Sequence, residues 1–144
     1  MNSNSDNPKV GKAFQELVQR NIEDYFGQPF ELEKAIPIGK PAKLHRFDLV
    51  SQDLSIVVEC KCYTWTDTGN VPSAKLMGMN EALFYMGYLP ESTKKILCVR
   101  KSQHPKKTET LAEYYVRIDG HLLRDVCVFE VDDDGQITVV RQAP

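Results

Sequence analysis

Two stretches decide the fold: His45-Arg46-Phe47-Asp48-Leu49-Val50-Ser51 and Leu54-Ser55-Ile56-Val57-Val58-Glu59-Cys60-Lys61. Both are rich in β-branched and apolar residues, and only Gln52-Asp53 separates them. They predict strands over residues 45–51 and 54–64 joined as a hairpin. Side chains alternate faces along a strand, so Glu59 and Lys61 point one way while Val58, Cys60 and Cys62 point the other, into a core. With Asp48 on the preceding strand, two carboxylates and an ammonium project from one short hairpin. That set suits a hard divalent cation and a water beside a phosphodiester. The alternative is a structural cross-strand ion-pair network of the same three groups. Three charges turned inward from a buried hairpin are costly without a function.

Working outward, Asn7-Pro8 is a helix start, with Asn as the cap and Pro in the first turn. The helix runs to about Phe26 and stops at Gly27. Its apolar positions, Val10, Phe14, Leu17, Val18, Ile22 and Tyr25, recur at helical spacing. Residues 30–38 alternate loosely and read as a strand with Pro37 near its end, followed by a basic loop over 39–44. Asp67, Gly69, Asn70 and Pro72 mark a loop; Ser73 is expected to cap a helix through Tyr88, closed by Leu89-Pro90. Residues 94–101 contain the buried-strand run Ile96-Leu97-Cys98-Val99. A helix is expected from Thr108 to about Ile118. A hairpin of residues 126–131 and 136–141 then turns through Asp132-Asp133-Asp134-Gly135. Helices and strands mixed in this order imply an α/β domain with a mixed central sheet flanked by helices. The polar residues 1–8 are expected to be a flexible N-terminus ahead of a single domain over 9–144.

Composition narrows the class. Of the 144 residues, 42% are hydrophobic and 26% charged, as in a soluble globular chain. No apolar run is long enough for a membrane span, and MNSNSDNP lacks the pattern of a secretory signal, so the expected setting is cytoplasmic with no membrane partner. The four cysteines, Cys60, Cys62, Cys98 and Cys127, have no zinc-type spacing. They read as reduced thiols packed as small hydrophobes, or as a four-cysteine metal site if their strands adjoin. His45, His104 and His121 likewise lack metal spacing. A net charge of −2 and a pI near 5.9 argue against a chain that grips nucleic acid through overall basicity, but not against local basic surfaces. Lys40, Lys43, His45 and Arg46 form one cluster, and Arg100, Lys101, His104, Lys106 and Lys107 another. Each is either a solvated loop or a phosphate-contacting surface.

The residues and the element order together resemble the PD-(D/E)xK nuclease superfamily, whose restriction-endonuclease-like core is αβββαβ. Asp48 matches the first acid and Glu59-Cys60-Lys61 the (D/E)-x-K element; Phe47 stands where the motif has proline. The resemblance covers about residues 9–101 and leaves a helix and β-hairpin as a C-terminal elaboration. E-x-K alone is a weak signal, but here it occurs once, at the end of a strong strand. Gly11-x-x-Phe14-Gln15 also resembles the first-helix motif of junction-resolving members, which carry Glu after Phe. Helical phase puts Gln15 on the flank of the apolar stripe and Glu16 opposite it, favouring Gln15 as the site residue; the alternative for either is a plain exposed helix position.

The resemblance implies a metal-dependent endonuclease hydrolysing DNA phosphodiesters, in repair, recombination or defence. Asp48, Glu59, Lys61 and Gln15 would be its catalytic residues. Mg²⁺, with Mn²⁺ as substitute, would sit on Asp48, Glu59 and the Cys60 carbonyl. Lys43, Arg46, Lys75, Tyr85, Lys101, Lys106 and Lys107 are expected to meet DNA. Lys75 and Tyr85 enter by analogy with polar and aromatic residues on that helix in related nucleases; Tyr85 is otherwise core and Glu81 solvated. A homodimer would supply the two sites that cutting both strands requires. The competing readings are an inactive nuclease-like module that binds nucleic acid or protein, and a scaffold that binds no metal.

Overall fold

The computed structural model describes residues 7–144, so most of the expected flexible N-terminus lies outside the described residues. The chain forms α1 (Pro8–Phe26), β1 (Phe30–Ile38), β2 (Lys43–Ser51), β3 (Ile56–Lys61), α2 (Ser73–Met86), β4 (Lys94–Arg100), α3 (Leu111–Asp119), β5 (Val126–Val131) and β6 (Ile137–Arg141). The strands make one six-stranded sheet in sequence order. β1, β2 and β3 are antiparallel neighbours, β3, β4 and β5 run parallel, and β6 returns antiparallel to β5. The two parallel steps are bridged by α2 and α3. Crossovers of one hand, stepping in one direction across a sheet, place both helices on the same face.

The sheet therefore separates two cores. On one face Phe14, Val18 and Ile22 of α1 pack on Leu49, Val58, Ile96, Cys98, Cys127 and Phe129. On the other, Met79, Leu83 and Met86 of α2 and Leu111 and Tyr115 of α3 pack on Phe47, Val50, Val57, Leu97, Val99 and Val128. Central strands covered on both faces read as continuous apolar runs, as β4 and β5 do. The helix–sheet–helix layering and the closing helix and hairpin follow the order expected from the sequence.

Several element ends differ from expectation, each for a local reason. Leu54 does not open β3: the Asp53 carboxylate accepts from Ser55 N and Oγ and from Ser51 Oγ, and Leu54 turns with φ +64°. This side-chain-held turn delays the strand to Ile56. Its other end stops at Lys61, because Trp65 N donates to Ser102 Oγ at 3.0 Å and draws the chain off the sheet. β2 begins at Lys43, in register with Ile38. α2 starts from Pro72 with no side-chain cap, so Ser73 is already helical and is not the cap, and the helix ends at Met86. α3 begins after Thr110, since Thr110 and Glu113 close a reciprocal capping box that Thr108 cannot make. Asn7 does cap α1, its side chain accepting from Lys9 N at 2.9 Å.

α1 carries one side of the candidate site and is held mainly by its buried stripe. Ile22 has no solvent exposure, and truncating such a residue leaves a cavity. Ile22→Ala is expected to cost about 2–5 kcal/mol in urea denaturation; a loss well under 1 kcal/mol would show that α1 is not docked as described.

Candidate functional site

The sheet opens where the sequence concentrates its charge. β2 and β3 pair only at Leu49↔Val58 and Val50↔Val57. Beyond that point, towards the start of β2 and the end of β3, the ladder gives way to side chains. Asp48 N donates to Glu59 Oε1 at 2.8 Å, and Cys60 N donates to Asp48 Oδ2 at 2.7 Å. Each carboxylate thus accepts an amide of the opposite strand that a ladder carbonyl would otherwise have taken. On the outer side, β1 pairs with β2 at Leu32↔Leu49 and Lys34↔Phe47, which leaves Glu33 and Asp48 out of the ladder between them. Glu33 takes φ +50° there, a conformation unusual for a non-glycine residue.

α1 closes the fork. Gln15, 8% exposed, donates from Nε2 to Asp48 Oδ1 at 3.1 Å. Asp48, Glu59, Lys61 and the Cys60 backbone share a cleft of about 470 Å³ with Gln15, Gly11, Lys12, Pro8 and Glu33. Gly11 lines its α1 side, where a Cβ would meet nothing within 4 Å. In a regular strand a residue's N–H and C=O point to the same side. The Cys60 amide bonds Asp48, so its carbonyl also faces the fork.

The electrostatics follow from this geometry. Glu59 is 9% exposed, and its carboxyl is pushed up to about 8, first by burial and then by the Asp48 charge. Asp48 is raised as well, by burial, against the lowering pull of the Cys60 amide, the Lys61 charge and Gln15. The cleft lining carries three acids, Glu33, Asp48 and Glu59, against two lysines, Lys12 and Lys61, which leaves it short of positive charge. Among the described residues, no three His, Cys, Asp or Glu side chains gather as a metal-holding group. The oxygen donors along the parted strands include the Asp48–Glu59 pair and the Cys60 carbonyl, with Glu33 on the same cleft.

The other expected site residues fall in separate places. Lys61 and Lys75 both lie over the Tyr63 ring, with Nζ 5.8 and 5.7 Å from its centroid. Lys43 and Tyr85 line a groove between α2 and the β1–β2 turn. Arg46 is exposed beside Glu33, at 3.9 Å. Lys101 and Lys106 are exposed, while Lys107 rests over Trp65 at 4.8 Å. The loop carrying them is tied down by His104, whose ring bonds the Asp67 carbonyl and the Lys106 amide. All four cysteines are free thiols, and they form no metal-holding group.

Sequence reading missed three participants. Tyr63 lies two residues beyond Lys61, and face alternation would have placed the two side by side. His45, read as a surface residue, stacks on Tyr85 with centroids 3.9 Å apart. Glu33 gave no signal, because its place in the cleft depends on a break in the β1–β2 ladder. No family model, curated protein or solved structure matches the chain.

The raised Glu59 carboxyl has a testable sign. The folded protein holds a proton on it from about pH 4.5 to about pH 8, where the unfolded chain has lost it. Native stability is therefore shed as pH rises through that window. Glu59→Gln keeps an acceptor for the Asp48 amide and removes the charge. In metal-free buffer it should melt several degrees above wild type at pH 8, a difference of about 1 kcal/mol or more, and close to wild type near pH 4.5. Equal melting temperatures at pH 8 would contradict a strained carboxylate pair.

Proposed function

We propose that this chain is a metal-dependent nuclease of the PD-(D/E)xK type, with a restriction-endonuclease-like αβββαβ core, that hydrolyses DNA phosphodiesters. The observation that carries this reading is the convergence of Asp48, Glu59, Lys61 and the Cys60 backbone on one open cleft at a parting of strands. The donor chemistry suits Mg²⁺ or Mn²⁺: two carboxylates and a carbonyl are hard oxygen ligands, and Lys61 offsets only part of the charge of the paired acids. When bound, such a cation neutralises charge at the phosphate and lowers the pKa of a water.

The chain's own residues have separable tasks. Asp48 and Glu59 hold the cation and are themselves oriented by the opposing amides. Gln15 fixes the rotamer of Asp48 without adding charge, which favours one cation over two. Lys61 holds an ammonium at the mouth of the cleft, where it steadies the attacking water or the charge that grows on the phosphate oxygens. The Tyr63 ring takes both the Lys61 and the Lys75 ammonium groups, which gathers two cations beside the end of β3. DNA is the expected partner, a homodimer would supply paired cuts, and an intracellular setting would go with that substrate.

A second reading has its own support. Both acids already accept backbone amides and so complete the fork as structure. An inactive nuclease-like module that binds nucleic acid or protein could retain them for that reason alone. Nicking of supercoiled plasmid with Mn²⁺ separates the two. Wild type should nick, Lys61→Ala should lose at least about a hundredfold in rate while still binding Mn²⁺ by calorimetry, and Asp48→Ala should lose the metal. Wild-type turnover in Lys61→Ala would discard the proposed mechanism. A wild-type protein that binds DNA but never nicks it would leave the binding module.

A further inference from the structure

A second concave surface lies apart from the acid cleft. Pro37, Ile38, Gly39, Lys40, Pro41 and Lys43 of the β1–β2 turn face Phe84, Tyr85 and Tyr88 of α2 across a groove of about 820 Å³. Two features set it apart from ordinary surface. The first is exposed aromatic area: Phe84 is 61% exposed and Tyr88 52%. Their rings meet edge to face at 5.6 Å, and both stay more than half exposed despite that contact. Tyr85 between them is fixed by its near-parallel stack on His45, 14° between planes. The second is charge: the groove wall carries Lys40 and Lys43 and no acid, in a chain of net charge −2.

Exposed rings on an anchored helix, rimmed by ammonium groups alone, match the chemistry of an unpaired nucleotide. A base offers a flat apolar face, and its phosphate a single negative charge. Duplex DNA buries those faces in its own stack and offers only the phosphates. A protein partner would be served by the rings but would not explain an all-cationic rim. Lys43 and Asp48 lie on the same strand, about 17 Å apart at roughly 3.3 Å per residue.

We propose that this groove binds single-stranded nucleic acid, with Phe84 and Tyr88 stacking on unpaired bases and Lys40 and Lys43 contacting phosphates. The binding stands apart from cleavage and needs no cation, so it is measured in EDTA on the full chain. Fluorescence anisotropy with a labelled single-stranded oligothymidylate and a duplex of equal length reads it out. The single strand should bind more tightly than the duplex. Phe84→Ala and Tyr88→Ala should each weaken single-strand binding about tenfold, and Phe84→Trp should restore it. Lys40→Gln combined with Lys43→Gln should flatten the salt dependence by roughly 1.4 in log–log slope. Leu122→Ala, a half-exposed apolar residue elsewhere, should change nothing.

Equal affinity for single strand and duplex would overturn the proposal, as would ring removal without effect. So would Phe84→Ala and Tyr88→Ala abolishing self-association in sedimentation while leaving oligonucleotide binding intact, since the patch would then be a protein interface. Both rings being exposed, circular dichroism should show the variants folded. A failure here leaves plasmid nicking untouched, and a failure to nick leaves this binding untouched.

Discussion

The arrangement depends on a gap in a β-sheet. β2 and β3 pair for two residues and then part, and the amides freed at the parting need acceptors, because buried backbone donors are seldom left unpaired. Asp48 and Glu59 supply them across the gap, each bonding the other strand's backbone. The same bonds that prevent the fork from fraying hold both carboxylates at fixed angles. Structure and chemistry are joined there: the acids cannot be removed without unpairing the amides, and the fork cannot close without expelling the acids.

Charge makes the gap costly and gives it a use. Two carboxylates about 4 Å apart repel by a few kcal/mol even at an effective dielectric near 20, and burial adds to that. Lys61 and the Gln15 amide relieve part of the load, and the remainder appears as the raised Glu59 carboxyl. A buried charge excess of this kind is a common feature of functional sites. In the proposed reading a divalent cation would remove it, and the charge imbalance of the fork is the source of affinity for the metal. α1 matters because it sets Gln15 on Asp48 while Gly11 lines the same side of the cleft.

Much of this was legible in the sequence, for physical reasons. Strand alternation put Glu59 and Lys61 together and sent Val58 and Cys62 into the α1-side core, because the two-residue period holds through β3; in β2 it breaks at Asp48, so that Phe47 and Leu49 enter opposite cores. Helical phase separated Gln15 from Glu16, since a 19-residue helix with one apolar stripe leaves little freedom in its rotation. What was not legible depends on tertiary geometry. The break opposite Glu33 has no local signature. The start of α3 is different: Thr110-x-x-Glu113 is a capping-box pattern present in the sequence itself, and it places the helix start after Thr110 rather than at Thr108. The basic residues were read as clusters along the chain, whereas folding sends Lys43, Lys75 and Lys107 to three different aromatic neighbourhoods.

The central claim is that the parted strands cradle a divalent cation between their two acids. Crystals soaked in Mn²⁺ and measured at a wavelength where manganese scatters anomalously give the most direct reading. The expected result is one anomalous peak in the fork, bonded to the Asp48 and Glu59 carboxylates and the Cys60 carbonyl. Peaks confined to surface acids, with the fork unchanged, would contradict it.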